Sequence, residues 1–196
     1  MTRLFLTYSE ELKRLILKMI REMDIDVTDY RTEKVGESSI QIFTKHMIDS
    51  EEYELRMSDE SSGTVKIFEL LPQIATAIIR GQTLIVDELD SRLHPLLLKY
   101  LINLFSDRSI NKSGAQLIFT SHDMSTLNNS IFRRDEIWFV AKGEKQNSVL
   151  YSLVEFKDDE GKAVRKDAKY DKQYLERRYG ADPYLKNLID WSDPYA

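Results

Sequence analysis

Asp87 and Glu88 stand side by side directly after the aliphatic run Leu84-Ile85-Val86. Such a run reads as a parallel strand buried on both faces, and the carboxyl end of a strand is where open α/β sheets place their ligands. A carboxylate at that point can hold Mg2+ through water, and its neighbour can orient and deprotonate a water for attack on a phosphate. Two other polar stretches could act with this pair. Ser61-Ser62-Gly63-Thr64 lies just before an apolar helical stretch, so its small residues leave backbone N–H groups open to an anion where the helix dipole favours a phosphate. The same serine would serve equally as an ordinary N-cap. Ser121-His122-Asp123 follows a second short apolar run, Gln116 to Thr120, read as another buried strand. A strand, helix, strand order makes the two strands parallel neighbours through a right-handed crossover, which would bring His122 near Asp87.

The elements that must hold these residues can be read from periodicity and breakers. Val65, Phe68, Leu71, Ala75 and Ile78 keep one helical phase on both sides of Pro72, so one kinked helix is expected in preference to two, ended by Gly81. His94 and Pro95 open a second helix with Leu97, Leu98, Leu101, Leu104 and Phe105 on its apolar face. Upstream, Ser9 is a cap candidate for an amphipathic helix over 9–22 that buries Leu12, Leu15, Ile16, Met19 and Ile20, and Arg3 to Tyr8 make at most one short strand. Ile25 to Arg31 and Ser39 to Ile48 read as a hairpin around the turn-like segment 33–38, with His46 an ordinary strand residue. Downstream, Glu136 to Val140 and Val149 to Val154 read as a second hairpin, and Tyr170, Tyr174, Tyr179, Tyr184 and Trp191 are expected to pack the charged tail onto the domain. The resulting organisation is an N-terminal helix and β-hairpin region at 1–57, a core lobe at 58–156 and a packed tail at 157–196.

Composition narrows the class of partner. The 28 Lys and Arg against 33 Asp and Glu leave a formal charge of -5, which gives no general reason to expect nucleic acid or an anionic membrane. With no cysteine there is neither a disulfide nor a thiolate metal site, and no apolar run is long enough to be a signal or a membrane span, so a cytoplasmic location is expected.

Taken in order, Ser61 to Thr64, a helix, Leu84 to Glu88, Ser91-Arg92-Leu93-His94 and Thr120 to Asp123 resemble the second half of an ABC-type ATPase head: signature motif, Walker B, D-loop and switch histidine. The likeness is strongest to bacterial ATPases related to the SMC, RecF and overcoming-lysogenisation-defect groups, several of them in anti-phage or abortive-infection systems. It covers roughly residues 58–140, and Arg133 to Trp138 and Tyr179-Gly180-Ala181 look similar to the tails of those ATPases. The fold implied is α/β, the carboxyl-terminal lobe of a P-loop NTPase-like head with a mainly parallel sheet flanked by helices. The resemblance makes Asp87 the Mg2+ residue, Glu88 the general base and His122 a contact to the γ-phosphate of ATP. Ser61 and Gly63 would bind the γ-phosphate of a nucleotide held by a second head, with Ser91 at the same interface, so hydrolysis would need a nucleotide-dependent homodimer.

Departures from the family pattern are specific. Glu60, Ser62 and Thr64 replace the usual Leu, Gly and Gln of the signature, and His94 stands where the D-loop usually ends in Asp. None of the seven glycines forms Gly-x-x-x-x-Gly-Lys-Ser/Thr; the only Gly-Lys pair, Gly161-Lys162, is followed by Ala163. The chain is therefore expected to be the C-terminal part of a longer ATPase, to need a partner lobe carrying the P-loop, and to bind ATP poorly alone. Defence relatives would also imply an effector protein. Two other readings stay open here: an interaction module that keeps the fold without hydrolysis, and a metal-dependent nuclease built on Asp87, Glu88, Asp90 and Asp123.

Overall fold

The computed structural model of the protein describes residues 10–35, 39–143, 147–158 and 161–181. The cap at Ser9, the strand at 3–8, part of the turn at 33–38, Tyr184 and Trp191 lie outside the described residues. Two compact units are present, Met1–Asp123 and Met124–Ala196, and each is taken by itself.

In the first unit, helix α1 (Glu10–Glu22) opens on Glu10 and Glu11, whose charge suits the positive end of the helix dipole, and buries Ile16, Met19 and Ile20. An antiparallel sheet follows, with strands β1 (Asp29–Val35), β2 (Ser39–Ile48) and β3 (Glu51–Arg56) in the order β1-β2-β3. The first strand starts at Asp29, later than the sequence pattern predicts, because Val27 N–H turns back onto the Ile25 carbonyl at 2.7 Å. The third strand was not read from the sequence: Tyr53 and Leu55 alternate with Glu52, Glu54 and Arg56, but the run is only six residues long, rich in Glu and exposed along its whole length. It is joined to β2 by the two-residue turn Asp49-Ser50, with φ of 50° and 68°, the positive values that a tight hairpin requires. Toward the core, Tyr30 meets Phe68 edge to face with centroids 5.6 Å apart.

Helix α2 (Ser62–Arg80) runs unbroken through Pro72, as its phase predicts, and buries Ile67, Phe68, Leu70, Leu71, Ile74, Ala75 and Ala77, a wider face than the single stripe in the sequence. Gly81 ends it at φ 65° and passes the chain to β4 (Thr83–Val86). Helix α3 (Pro95–Ser106) then leads to β5 (Gln116–Phe119), and β4 and β5 pair in parallel with Leu84 beside Leu117 and Val86 beside Phe119. This is the expected strand, helix, strand unit, with one correction. The two strands are not buried on both faces: Ile85 is 73% exposed and Ile118 56%. Side chains alternate along a strand, so one face carries Leu84 and Val86 inward while Ile85 and Ile118 lie on a face that the described residues leave open.

The second unit is built on the antiparallel hairpin β6 (Trp138–Lys142) and β7 (Ser148–Ser152) with the short helix α4 (Tyr170–Leu175). Its core is Ile137, Phe139, Leu153, Tyr170 and Tyr179, with Tyr174 packed against it. Phe139 stacks on Tyr179 at 5.0 Å and on Tyr174 at 5.7 Å, so these tyrosines pack within the second unit. Among the described residues no helix is long and apolar enough to cross a membrane.

Candidate functional site

Strand β4 delivers Asp87 and Glu88 at its carboxyl end, and Thr120, the residue after β5, receives them. Thr120 N–H continues the ladder to the Val86 carbonyl at 3.1 Å. Its hydroxyl donates to Asp87 Oδ1 at 2.5 Å and accepts from Glu88 N–H at 2.8 Å. One side chain thus fixes the carboxylate of the first acid and the backbone of the second. Glu88 itself sits at φ 48°, a conformation that costs a non-glycine residue about 1–2 kcal/mol and persists only where its surroundings impose it. The restraint comes from the next residue: Leu89 is fully buried and its N–H bonds to the Thr120 carbonyl at 3.0 Å.

Residues 88–94 then form a compact turn. Ser91 N–H donates to the Glu88 carbonyl at 3.1 Å and Leu93 N–H to the Asp90 carbonyl at 3.0 Å, with Arg92 at φ 64°. His94 caps α3, its Nδ1 accepting from Leu96 N–H at 3.2 Å, with Pro95 at the first helical position. An imidazole acceptor here does the capping work that a carboxylate would do, which explains how the departure from Asp is accommodated. Asp90 Oδ2 accepts the backbone N–H of His122 at 3.2 Å, tying the turn after β4 to the turn after β5. The other oxygen, Oδ1, is buried without a partner in the described structure.

At the start of α2 the Ser61 hydroxyl accepts from Thr64 N–H at 3.1 Å and lies 2.9 Å from the Thr64 hydroxyl. The capping arrangement is therefore real, and it leaves the hydroxyl standing at the positive end of a 19-residue helix. Gly63 packs against the turn after β4: a Cβ there would lie 3.0 Å from the Arg92 carbonyl oxygen. Glu60, in the position usually held by Leu, has a nearly buried side chain that accepts from the Thr44 hydroxyl and lies 2.7 Å from His46 Nε2. His46 is thus more than an ordinary strand residue, since with Thr44 it fastens β2 to the residue just before Ser61.

All six residues singled out in the sequence lie in the first unit: Thr120, Asp90 and Lys66 bond to Asp87, Glu88, Ser91 and His122, while Ser61 and Gly63 stand at the start of the helix that carries Lys66. In the sequence Asp90 stood only among the carboxylates of the nuclease reading and Thr120 only at the head of the histidine stretch, and Lys66 had no role. Thr120 carried the one available signal, a hydroxyl at the carboxyl end of the neighbouring strand. A nucleotide with Mg2+ fits what is present. Mg2+ keeps most of its waters and asks a protein for one or two carboxylates beside the nucleotide's phosphates, and Asp87 is an exposed carboxylate already oriented by Thr120. No group of three or more His, Asp or Glu side chains that could cage a metal occurs among the described residues, so a site of that kind would have to borrow ligands from the nucleotide.

Residues 3–128 match the model of a family described as "AAA domain, putative AbiEii toxin, Type IV TA system". A solved structure from work on the structural biochemistry of ATP-driven dimerization and DNA stimulated activation of SMC ATPases is 14% identical to the chain. The likeness covers 90% of this chain and 93% of that one with a TM-score of 0.56, which at such identity shows the fold, that of an SMC-type P-loop NTPase head. No curated protein matches the sequence.

Proposed function

The chain belongs to that AAA-domain family, and on this premise we propose that it is the carboxyl-terminal lobe of an ABC-type ATPase head that binds and hydrolyses ATP once a P-loop lobe and a second head complete the site. The observation that carries the proposal is the shared scaffold of Asp87, Glu88 and His122: Thr120 fixes the first two, and Asp90 anchors the third.

Mg2+ on the nucleotide would neutralise phosphate charge as the terminal phosphoryl group departs. Asp87, its carboxylate kept in one orientation by the Thr120 hydroxyl, would hold the ion through water. Glu88 orients the attacking water and takes its proton. His122 presents its ring at the γ-phosphate while its own backbone is held by Asp90. The Ser61 hydroxyl and Gly63 N–H, at the N-terminus of α2, receive the γ-phosphate of the nucleotide bound by the other head. Ser91 lies at that same interface. Dimerisation around ATP is supported by the likeness to an SMC ATPase studied for ATP-driven dimerization, and a defence setting by the likeness to a family of putative toxin–antitoxin AAA domains. The open face of β4 and β5 that exposes Ile85 and Ile118 suits a sheet completed by further strands and helices, as a P-loop lobe would supply.

Glu88→Gln keeps the bonds to Thr120 and removes the base, so with Mg-ATP and a polypeptide supplying the P-loop it should accumulate as a stable dimer in light scattering. Equal mass in ATP and ADP would refute the proposal.

A further inference from the structure

Lys66 sits one turn into α2, and its ammonium group reaches the turn after β4, donating to the Glu88 carbonyl at 3.1 Å and the Ser91 hydroxyl at 3.2 Å. Close by, Gly63 leaves only enough room for the Arg92 carbonyl, 3.0 Å from where a Cβ would stand. The N-terminus of α2 is therefore joined to residues 88–92 twice, once by a side-chain tether and once by direct backbone approach. We infer that Lys66 is a positioning residue that links the occupancy of one nucleotide site to the geometry of the other. The inference rests on the ATPase reading above. In that reading Ser61 and Gly63 meet the nucleotide of the opposing head, whereas Glu88 serves the nucleotide of its own head. Any displacement of α2 on engaging a γ-phosphate is passed by Lys66 to the peptide carbonyl of the general base, three ångströms away. Ser91, held by the same ammonium group, moves with it.

The geometry also explains why a lysine suits this place. A cation on a flexible stem can satisfy a carbonyl and a hydroxyl together, and it keeps its donors as the two shift. The φ of 48° at Glu88 gives the tether something to act on, since a backbone held in a sparsely populated conformation responds to the loss of one restraint.

Two measurements test this, with Lys66→Met as the cut and Lys66→Arg as the repair. Amide exchange in the chain alone should quicken by about tenfold or more at residues 88–93 in Lys66→Met, with β1 to β3 unchanged, and return toward the original rate in Lys66→Arg. In the ATP-hydrolysing assembly the original chain should show a sigmoidal dependence of rate on ATP. Lys66→Met should turn it hyperbolic with kcat lowered by about 10–100-fold, the loss seen when partners that orient metal ligands are removed, and with half-saturation moved much less. Unchanged exchange in Lys66→Met would show that the tether does not restrain Glu88. A Lys66→Met assembly that stays as sigmoidal and as fast as the original would overturn the coupling while leaving the ATPase reading intact. Absence of hydrolysis in the original assembly would instead sink that reading, and this one with it.

Discussion

Gly81 and Gly114 stand at matching places, each two residues before one of the parallel strands that carry the acids and Thr120. Both have positive φ, 65° and 73°. Alanine in that conformation costs about 1–2 kcal/mol, offset by about 0.4–1 kcal/mol because the unfolded chain loses freedom. At Gly114 nothing lies within 4 Å of an added Cβ, so Gly114→Ala should cost about 1 kcal/mol or less. At Gly81 the added Cβ would lie 2.4 Å from the Ser113 carbonyl oxygen, and real Cβ atoms essentially never come within 3.0 Å. The Ser113 backbone would have to retreat by about 0.6 Å. That backbone is held on both sides: Asn111 Nδ2 donates to the Phe105 and Ala115 carbonyls at 2.8 Å, Ala115 N–H returns to Asn111 Oδ1 at 2.7 Å, and Ser113 Oγ donates to the Ile79 carbonyl at 3.2 Å. Losing one or two such bonds adds about 1 kcal/mol each, for a total near 2–3 kcal/mol. Urea unfolding followed by circular dichroism separates the variants, since with a slope of about 1–3 kcal/mol per molar the extra cost moves the midpoint by on the order of 0.5–1 M. Equal midpoints for Gly81→Ala and Gly114→Ala would refute this reasoning, because the two share the backbone cost and differ only in the close approach.

Thr120→Val, which keeps the shape and removes the hydroxyl, should speed exchange of the Glu88 amide and raise about tenfold or more the Mg2+ needed for ATP-driven association, with Thr120→Ser restoring both; an unchanged Mg2+ requirement would leave Thr120 without a role in holding Asp87. Glu60→Leu, which restores the usual signature residue, should destabilise the fold by about 1–2 kcal/mol, since it orphans the nearly buried His46 imidazole while Thr44 keeps the Leu55 carbonyl at 3.3 Å. In a double-mutant cycle with His46→Leu the second change should recover most of that loss, and additive losses would show that the two side chains are energetically independent.

Much of the first unit was legible because its signals are local. Helix phase located α1, α2 and α3 to within a residue or two, and the aliphatic runs located β4 and β5. The strand β3 was not read, since its alternation of Tyr53 and Leu55 with Glu52, Glu54 and Arg56 is short, Glu-rich and buries neither face. The exposure of Ile85 and Ile118 was not legible either: an aliphatic run records what a strand could bury, and whether a face is covered depends on elements elsewhere. Within the site, the acids, serines and histidine could be named from their types and order. The linking roles of Thr120, Asp90 and Lys66 could not, because each acts across 22 to 33 residues of chain, through bonds that only the fold creates. The Glu60 and His46 pair shows the same limit from the other side: a departure from the family pattern reads as a defect until its buried partners, 14 and 16 residues upstream, are on view.

Calorimetric titration of Mg-ATP, first into this chain alone and then into the chain with a polypeptide carrying a P-loop lobe, bears most directly on the ATPase reading. Heat should be absent or weak in the first titration and should saturate in the second, with a Kd in the micromolar range or tighter. Tight binding by the lone chain would contradict the proposal, since a nucleotide would then be held without the phosphate cradle of a P-loop, and no binding in either titration would contradict it as well.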